Sequence, residues 1–377
     1  MRGVARVVRH PRLPVWPAWQ GLALLALSQF EATRPLADRL EARFGGRVCP
    51  MQFDPVECDP FVLLVHHRHA FRAFDFFRPI FSALILPEGF PAHPHRGFET
   101  VTYVLPGKGG LVHRDSLGCK MSYSNGACQW MTAGRGMLHE EMWDTASASE
   151  HELYQLWVNL PPAAKMTQPA VQLLTPPTED DTTTSNVQVE GRTAVRRARI
   201  RTDVIHSDHG NVVVRTLAGD AGGEAAADSE TTHRFDGSST DTGASTFSPM
   251  TIAHIELQDL GATHKVPIPD GWTCIIYVRY GEVEIEGTLA KMYDTVYMQR
   301  YGGSAVVSNT NKGGSDVMIF AGQPIGAPVA ASGTMVMNTQ AQVSQALQDY
   351  QRGTFGEPWD HTLSDDDWVK WCDSRPI

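Results

Sequence analysis

Apolar and polar positions alternate over short runs along most of the chain. "FETVTYVL" (98–105) alternates, and "GLVHRDS", "GACQWMTAGRG" and "HELYQLWVNLP" are short runs bounded by Gly or Pro. Period two with such punctuation predicts strands joined by turns. The strand pattern starts at "DPFVLL" (59–64), and the first unit closes at Pro161 and Pro162. A second unit starts near 249 with "MTIAHIELQ". Within it, "YGEVEIEG" sets Glu282, Glu284 and Glu286 outward against Val283 and Ile285, the pattern of a half-buried strand. Helical spacing appears late, at Val343, Ala346, Leu347 and Tyr350, with Gly353 as a stop. Residues 31–50 mix Leu, Ala, Arg and Glu and predict one short helix.

Two stretches, 175–185 and 218–245, are too polar and too rich in Gly, Ser and Thr to bury a core, and read as flexible insertions. "GNVVVRTLAG" between them still reads as a strand. The expected order is an extension over 1–50, a first β domain over 51–172, a variable linker carrying some strands over 173–248, and a second β domain with its helix and tail over 249–377.

Composition narrows the classes. A net charge of −10 argues against direct nucleic-acid binding. The six cysteines are scattered with no Cys-x-x-Cys pair, which argues against a thiolate zinc site and suits a reducing compartment. A cytoplasmic or nuclear monomer is expected. No apolar run is long enough for a membrane span. Arg2, Arg6, Arg9 and Arg12 precede the first acidic residue, Glu31. That start looks like a mitochondrial transit peptide; an unstructured extension is the alternative.

The candidate chemistry lies in two spaced pairs. His93 and His95 flank Pro94, which favours an extended backbone, and positions i and i+2 of a strand share a face. Fifteen histidines yield about 0.6 His-x-His pairs by chance, so one pair alone says little. A second pair, His139 and Glu141, follows the Gly-rich turn Gly134–Gly136. Brought together on neighbouring strands, the two pairs would offer three imidazoles and a carboxylate to one ion and leave positions open. That donor set suits Fe(II), and less exclusively Mn, Ni or Cu(II). The plainer reading is a polar cluster without metal.

The segments "HPHRGFETVTYVLPG", "VHRDSLG", "QWMTAGRGMLHEEM" and "LYQLWVNLPPAAKMTQPAVQ", with "AGQPIGAPVAASGTMVMNTQAQVSQALQDYQRGTFG" near the C-terminus, resemble the pirin family of the cupin superfamily. The resemblance implies an all-β bicupin: two cupin-type β-barrels with a short C-terminal helix. Metal would sit in the N-terminal barrel alone, held by His93, His95, His139 and Glu141. It further implies an iron protein that opens flavonols such as quercetin with dioxygen, with Glu141 taking the substrate's hydroxyl proton. The alternative is a redox-sensitive, non-enzymatic partner of a transcription factor. A small-molecule-binding cupin without redox chemistry, tolerant of zinc, is a third reading. The chain departs from the family pattern at 65–88, in the two insertions and at the N-terminus.

Other residues have two readings each. Glu99 is a fifth ligand or a carboxylate orienting a histidine. Arg135 contacts an anionic substrate or is a turn residue. His113 and Asp115 read as turn-stabilising. His66, His67 and His69 read as a solvated basic patch, His254 and His264 as isolated, and Trp130 and Trp157 as core.

Overall fold

The computed structural model describes residues 2–10, 47–70, 88–145, 147–177, 189–191, 195–207, 210–222 and 243–374. It also describes 13–14, 26–27, 29–30, 32–33 and 36. Most of the helix expected over 31–50 lies outside these residues. Its last four positions belong to a strand, Arg47–Gln52. The greater parts of both expected insertions, 178–185 and 223–242, also lie outside.

Two β-barrels are stacked through one face each. The first is built from an eight-stranded and a five-stranded sheet, the second from a seven-stranded and a four-stranded sheet. Both interiors follow from alternation. In the second barrel, Ala253, Ile255 and Leu257 of one strand meet Ile276, Val278, Val317 and Ile319, so aliphatic side chains fill the space. The interior of the first barrel is apolar at one end, around Val104, Met121, Met131 and Leu153. The outward faces of the two large sheets bury each other around Tyr103, Trp130, Tyr154, Tyr277, Met318 and Phe320.

The chain's ends cross between barrels. The strand Val4–Arg9 pairs with Asp294–Met298 at the edge of the seven-stranded sheet of the second barrel. Arg2 is buried and donates to the Trp272 and Pro269 carbonyls. Part of the expected 1–50 extension is therefore sheet. Around the expected linker, Ala170–Thr175, which straddles its start, and Arg196–Arg199 pair within the first barrel, while Arg201–Ser207 and Gly210–Ala218 belong to the second.

The C-terminal segment returns to the first barrel. The helix Gln340–Gln351 forms as its periodicity predicts, with Thr339 and Gln342 as a capping box. A second helix, Asp365–Asp373, lacks the length of a periodic pattern and was not expected. Ser364 caps it and three aspartates occupy its first turn. Val343, Ala346, Phe355, Trp359 and Trp368 pack on Leu138 of the first barrel. Arg96 seals the contact, donating to Asp349 at 2.7 Å with its guanidinium over Phe355. Gly136 lies at φ +126°, and a Cβ there would meet the Phe355 ring. Among the described residues, no helix is long and apolar enough to cross a membrane.

Candidate metal centre

The strand Gly89–His95 lies antiparallel to Met137–Trp143, with His139 opposite His93 and Met137 opposite His95. Period two then turns His93, His95 and His139 to the same inner face. Their ring centroids lie 4.5–4.7 Å apart, and one nitrogen from each falls within 4.8 Å of the others. Nε2 of His93 is 3.1 Å from Nε2 of His139. His93 Nδ1 donates to the Pro91 carbonyl at 2.8 Å, which assigns the lone pair to Nε2. Burial pushes the pKa of all three imidazoles down, furthest for His95 and His139. Neutral imidazole is the metal-binding form. Both nitrogens of His95 lack a protein partner among the described residues, an unusual state for a buried ring. These convergent imidazole nitrogens, with both nitrogens of His95 unmatched, fit a bound cation.

Glu141 sits on the same face, two residues beyond His139. Its carboxylate is not among the mutually close nitrogens. Tyr123 Oη and Thr102 Oγ1 donate to Oε1 at 2.9 and 3.0 Å, and Gln155 Nε2 donates to Oε2 at 2.6 Å. Three donors leave lone-pair capacity on a carboxylate. Beside Glu141 the register shifts between His139 and Glu141. Gly89 takes φ +139° there, where a Cβ would run into the Glu141 carbonyl oxygen.

Thr102, Tyr123 and Gln155 escaped the sequence reading. Each is a polar residue on the inward parity of its strand, and that parity was available to find them. His113 also faces inward, its ring 5.4 Å from His139 and its Nε2 3.0 Å from Asp115. Asp115 does stabilise a turn, accepting from the Leu117 and Cys119 amides, but His113 belongs to the centre's wall. Phe98 and Trp157 close the other side of His95 at 5.1 and 5.6 Å.

Other expectations are corrected. Glu99 faces away from the imidazoles, on the opposite parity to Phe98. It accepts from Thr132 Oγ1 at 2.7 Å and is no histidine's partner. Burial raises its pKa to about 7. Arg135 is exposed, with its backbone tied to Thr167 and Arg96, and the structure does not bring it to the imidazoles. His66, His67 and His69 are buried, not a solvated patch. Trp130 is core, as expected.

His254 is not isolated. Tyr103 Oη lies 3.0 Å from its Nδ1, and Asp316 2.9 Å from its Nε2. His264 bonds the Ala221 carbonyl. His254, Glu256 and Asp316 have metal-ligating types, yet Arg279 donates twice to Asp316 and Arg215 pairs with Glu256. Two guanidiniums make this an ion-pair network, since a cation there would have to displace them.

The fold and the one three-histidine cluster among the described residues define a bicupin with a candidate metal site in its first barrel. Residues 53–158 match the Pirin family model and 252–356 the Pirin C-terminal cupin domain. The chain belongs to the pirin family. It is 32% identical to Pirin-1 of Arabidopsis thaliana over 305 residues, 79% of this chain and 84% of that protein. It is 33% identical to Pirin of Homo sapiens over 279 residues, 72% and 79% of the two. A crystal structure of quercetin 2,3-dioxygenase from Acinetobacter baumannii is similar at a TM-score of 0.65 and 25% identity. It covers 95% of this chain and 99% of that one.

Proposed function

We propose that this chain is a mononuclear Fe(II) protein with quercetin 2,3-dioxygenase-type activity on a flavonol. His93, His95 and His139 would hold the ion, with Glu141 beside it as a fourth donor, through oxygen, or as the base. The observation that carries the reading is the convergence of the His93 and His139 Nε2 atoms at 3.1 Å. Support for the activity comes from the likeness to the A. baumannii quercetin 2,3-dioxygenase. Three nitrogens and an oxygen suit iron, and also manganese, nickel or copper. A bound ion would supply one place for substrate and dioxygen to meet.

The protein's own part is proton handling and positioning. Tyr123, Thr102 and Gln155 hold the Glu141 carboxylate as an acceptor on the face that carries the imidazoles. A substrate hydroxyl placed there would give its proton to Glu141. Phe98 and Trp157 back His95 with apolar rings, which limits water at the centre.

The test is elemental analysis of untagged wild type and His139→Ala, followed by oxygen uptake with quercetin. About one iron per chain, lost in the variant, with flavonol-dependent oxygen uptake is the expected result. No metal in either protein after anaerobic Fe(II) loading overturns it. Iron without turnover would favour the regulator, and binding to a protein partner should then follow the iron's oxidation state.

A further inference from the structure

The inner face of the first barrel continues past Glu141. Trp143 follows at i+2 on the same strand, and Phe90 stands opposite Glu141 on the neighbouring one. Across the barrel, the strand Phe61–Ala70 pairs with Glu150–Asn159, with His67 opposite Leu153. Leu153 is interior, so His67 and His69 point inward too. The His67 ring is 5.6 Å from Phe90 and 6.0 Å from Trp143. His69 lies 4.3 Å from Trp143 and stacks beside His67 at 5.8 Å.

His67 is 7% exposed, and its Nδ1 has no hydrogen-bond partner among the described residues. A buried ring nitrogen left unmatched is a vacancy for a ligand's polar atom. The rings around it are not sealed. Phe90 is 38% exposed and Trp143 half-buried, so the wall reaches from the centre to the surface. Burial, with His66 adding to it, drives the His67 pKa down to about 3, so the group it presents is an uncharged imidazole. Neutral aromatic surface with one such nitrogen recognises a flat ring bearing a hydroxyl better than it recognises an anion.

We infer that His67 sets specificity at this site: with Phe90 and Trp143 it forms a ring-binding wall beside the histidine centre, and its Nδ1 hydrogen-bonds a hydroxyl on an aromatic ring of the ligand. The inference rests on the proposed flavonol reading and adds the residues that would choose among aromatic ligands. His67 is a positioning residue here and takes no part in the chemistry.

Calorimetric titration under anaerobic conditions tests it, with quercetin and unsubstituted flavone as probes. Wild type, His67→Phe, His67→Gln and Trp143→Leu are compared, with iron content and thermal melting measured on each. His67→Phe keeps a ring and removes the nitrogen. It is expected to weaken quercetin about tenfold and flavone less than twofold. His67→Gln, which can still hydrogen-bond, should recover most of the quercetin affinity, and Trp143→Leu should weaken both probes. Equal effects of His67→Phe on both probes, no effect on either, or no binding of either probe by wild type overturns the inference.

The arms separate the two readings. Iron and turnover in wild type, with quercetin affinity unchanged in His67→Phe, would remove the wall and keep the function. A selective tenfold loss in a protein that holds no iron and takes up no oxygen would keep the wall and remove the function.

Discussion

Nε2 of His93 and Nε2 of His139 stand 3.1 Å apart on paired strands, with His93 Nδ1 already spent on the Pro91 carbonyl. Two lone pairs so directed repel unless a proton or a cation lies between them. An ion bound there would stabilise the folded state alone. At a hundredfold excess over its dissociation constant it contributes about 2.7 kcal/mol. Scanning calorimetry should show chelation lowering the wild-type Tm by roughly 3 °C. His139→Ala should melt at the same temperature with and without chelator. A chelator-sensitive His139→Ala would place the ion elsewhere.

Glu141 is held by donors from three different strands. Tyr123→Phe and Gln155→Leu each remove one donor without touching an imidazole. Iron content should stay at the wild-type level while kcat for flavonol-dependent oxygen uptake falls about tenfold, the effect of one lost hydrogen bond to a charged group. Glu141→Gln should cost between about 10² and 10⁴ in kcat, the range for a lost general base. Normal turnover in Glu141→Gln would remove the carboxylate from the chemistry.

How much of this was legible in the sequence depends on distance along the chain. The His93/His95 pair and His139 could be placed on one face because strand parity is local and Pro94 fixes the backbone. The helix Gln340–Gln351 was readable from its own spacing and cap. The crossing ends were not. Val4–Arg9 finds its partner at Asp294–Met298, and nothing in six residues says which edge they will join. "VHHRHAF" was misread because its polarity suggested solvent, whereas inward parity buried His67 and His69, and His66 found Glu152 and Tyr277 between the barrels. The Asp365–Asp373 helix did carry a readable start, Ser364 followed by three aspartates, in a stretch too short for periodicity to register.

Arg279 of the second barrel binds Asp316 at 2.6 Å and reaches Glu152 of the first at 3.3 Å. Burial alone would raise the pKa of Glu152, but the hydrogen bond and charge of His66, with Arg279, bring it down to about 2. Asp316 is also lowered: His254 and Arg279 outweigh its burial. Depressed carboxylates contribute stability above their unfolded values, and it is lost as pH falls through the folded ones. Wild type should therefore lose stability from about pH 4.5 down towards pH 2. Arg279→Met should cost about 3–5 kcal/mol at pH 7, because two buried charges lose a partner. That cost should shrink below pH 4.5 as the stranded carboxylates protonate. Urea titrations at pH 7 and pH 4 check both statements, and an equal cost at both would show that the charges do not control the interface.

Glu99 has the opposite sign. It is fully buried against Thr132, and burial raises its pKa from 4.5 to about 7. Between those values the folded state binds the proton more tightly than the unfolded chain, so stability falls as pH rises from 4.5 through 7. About 2.5 pKa units correspond to roughly 3 kcal/mol lost by pH 8. Gln in place of Glu keeps an oxygen for the Thr132 hydroxyl and carries no charge at any pH. Glu99→Gln is thus expected to leave stability at pH 5 within about 0.5 kcal/mol of wild type and to raise it by up to 3 kcal/mol at pH 8. Urea unfolding at the two pH values measures the difference. Iron content should not change, because Glu99 lies on the far face of its strand from His95. Iron loss in Glu99→Gln, or a stability gain at pH 5 equal to that at pH 8, would contradict a neutral, buried carboxyl that plays no part in the metal centre.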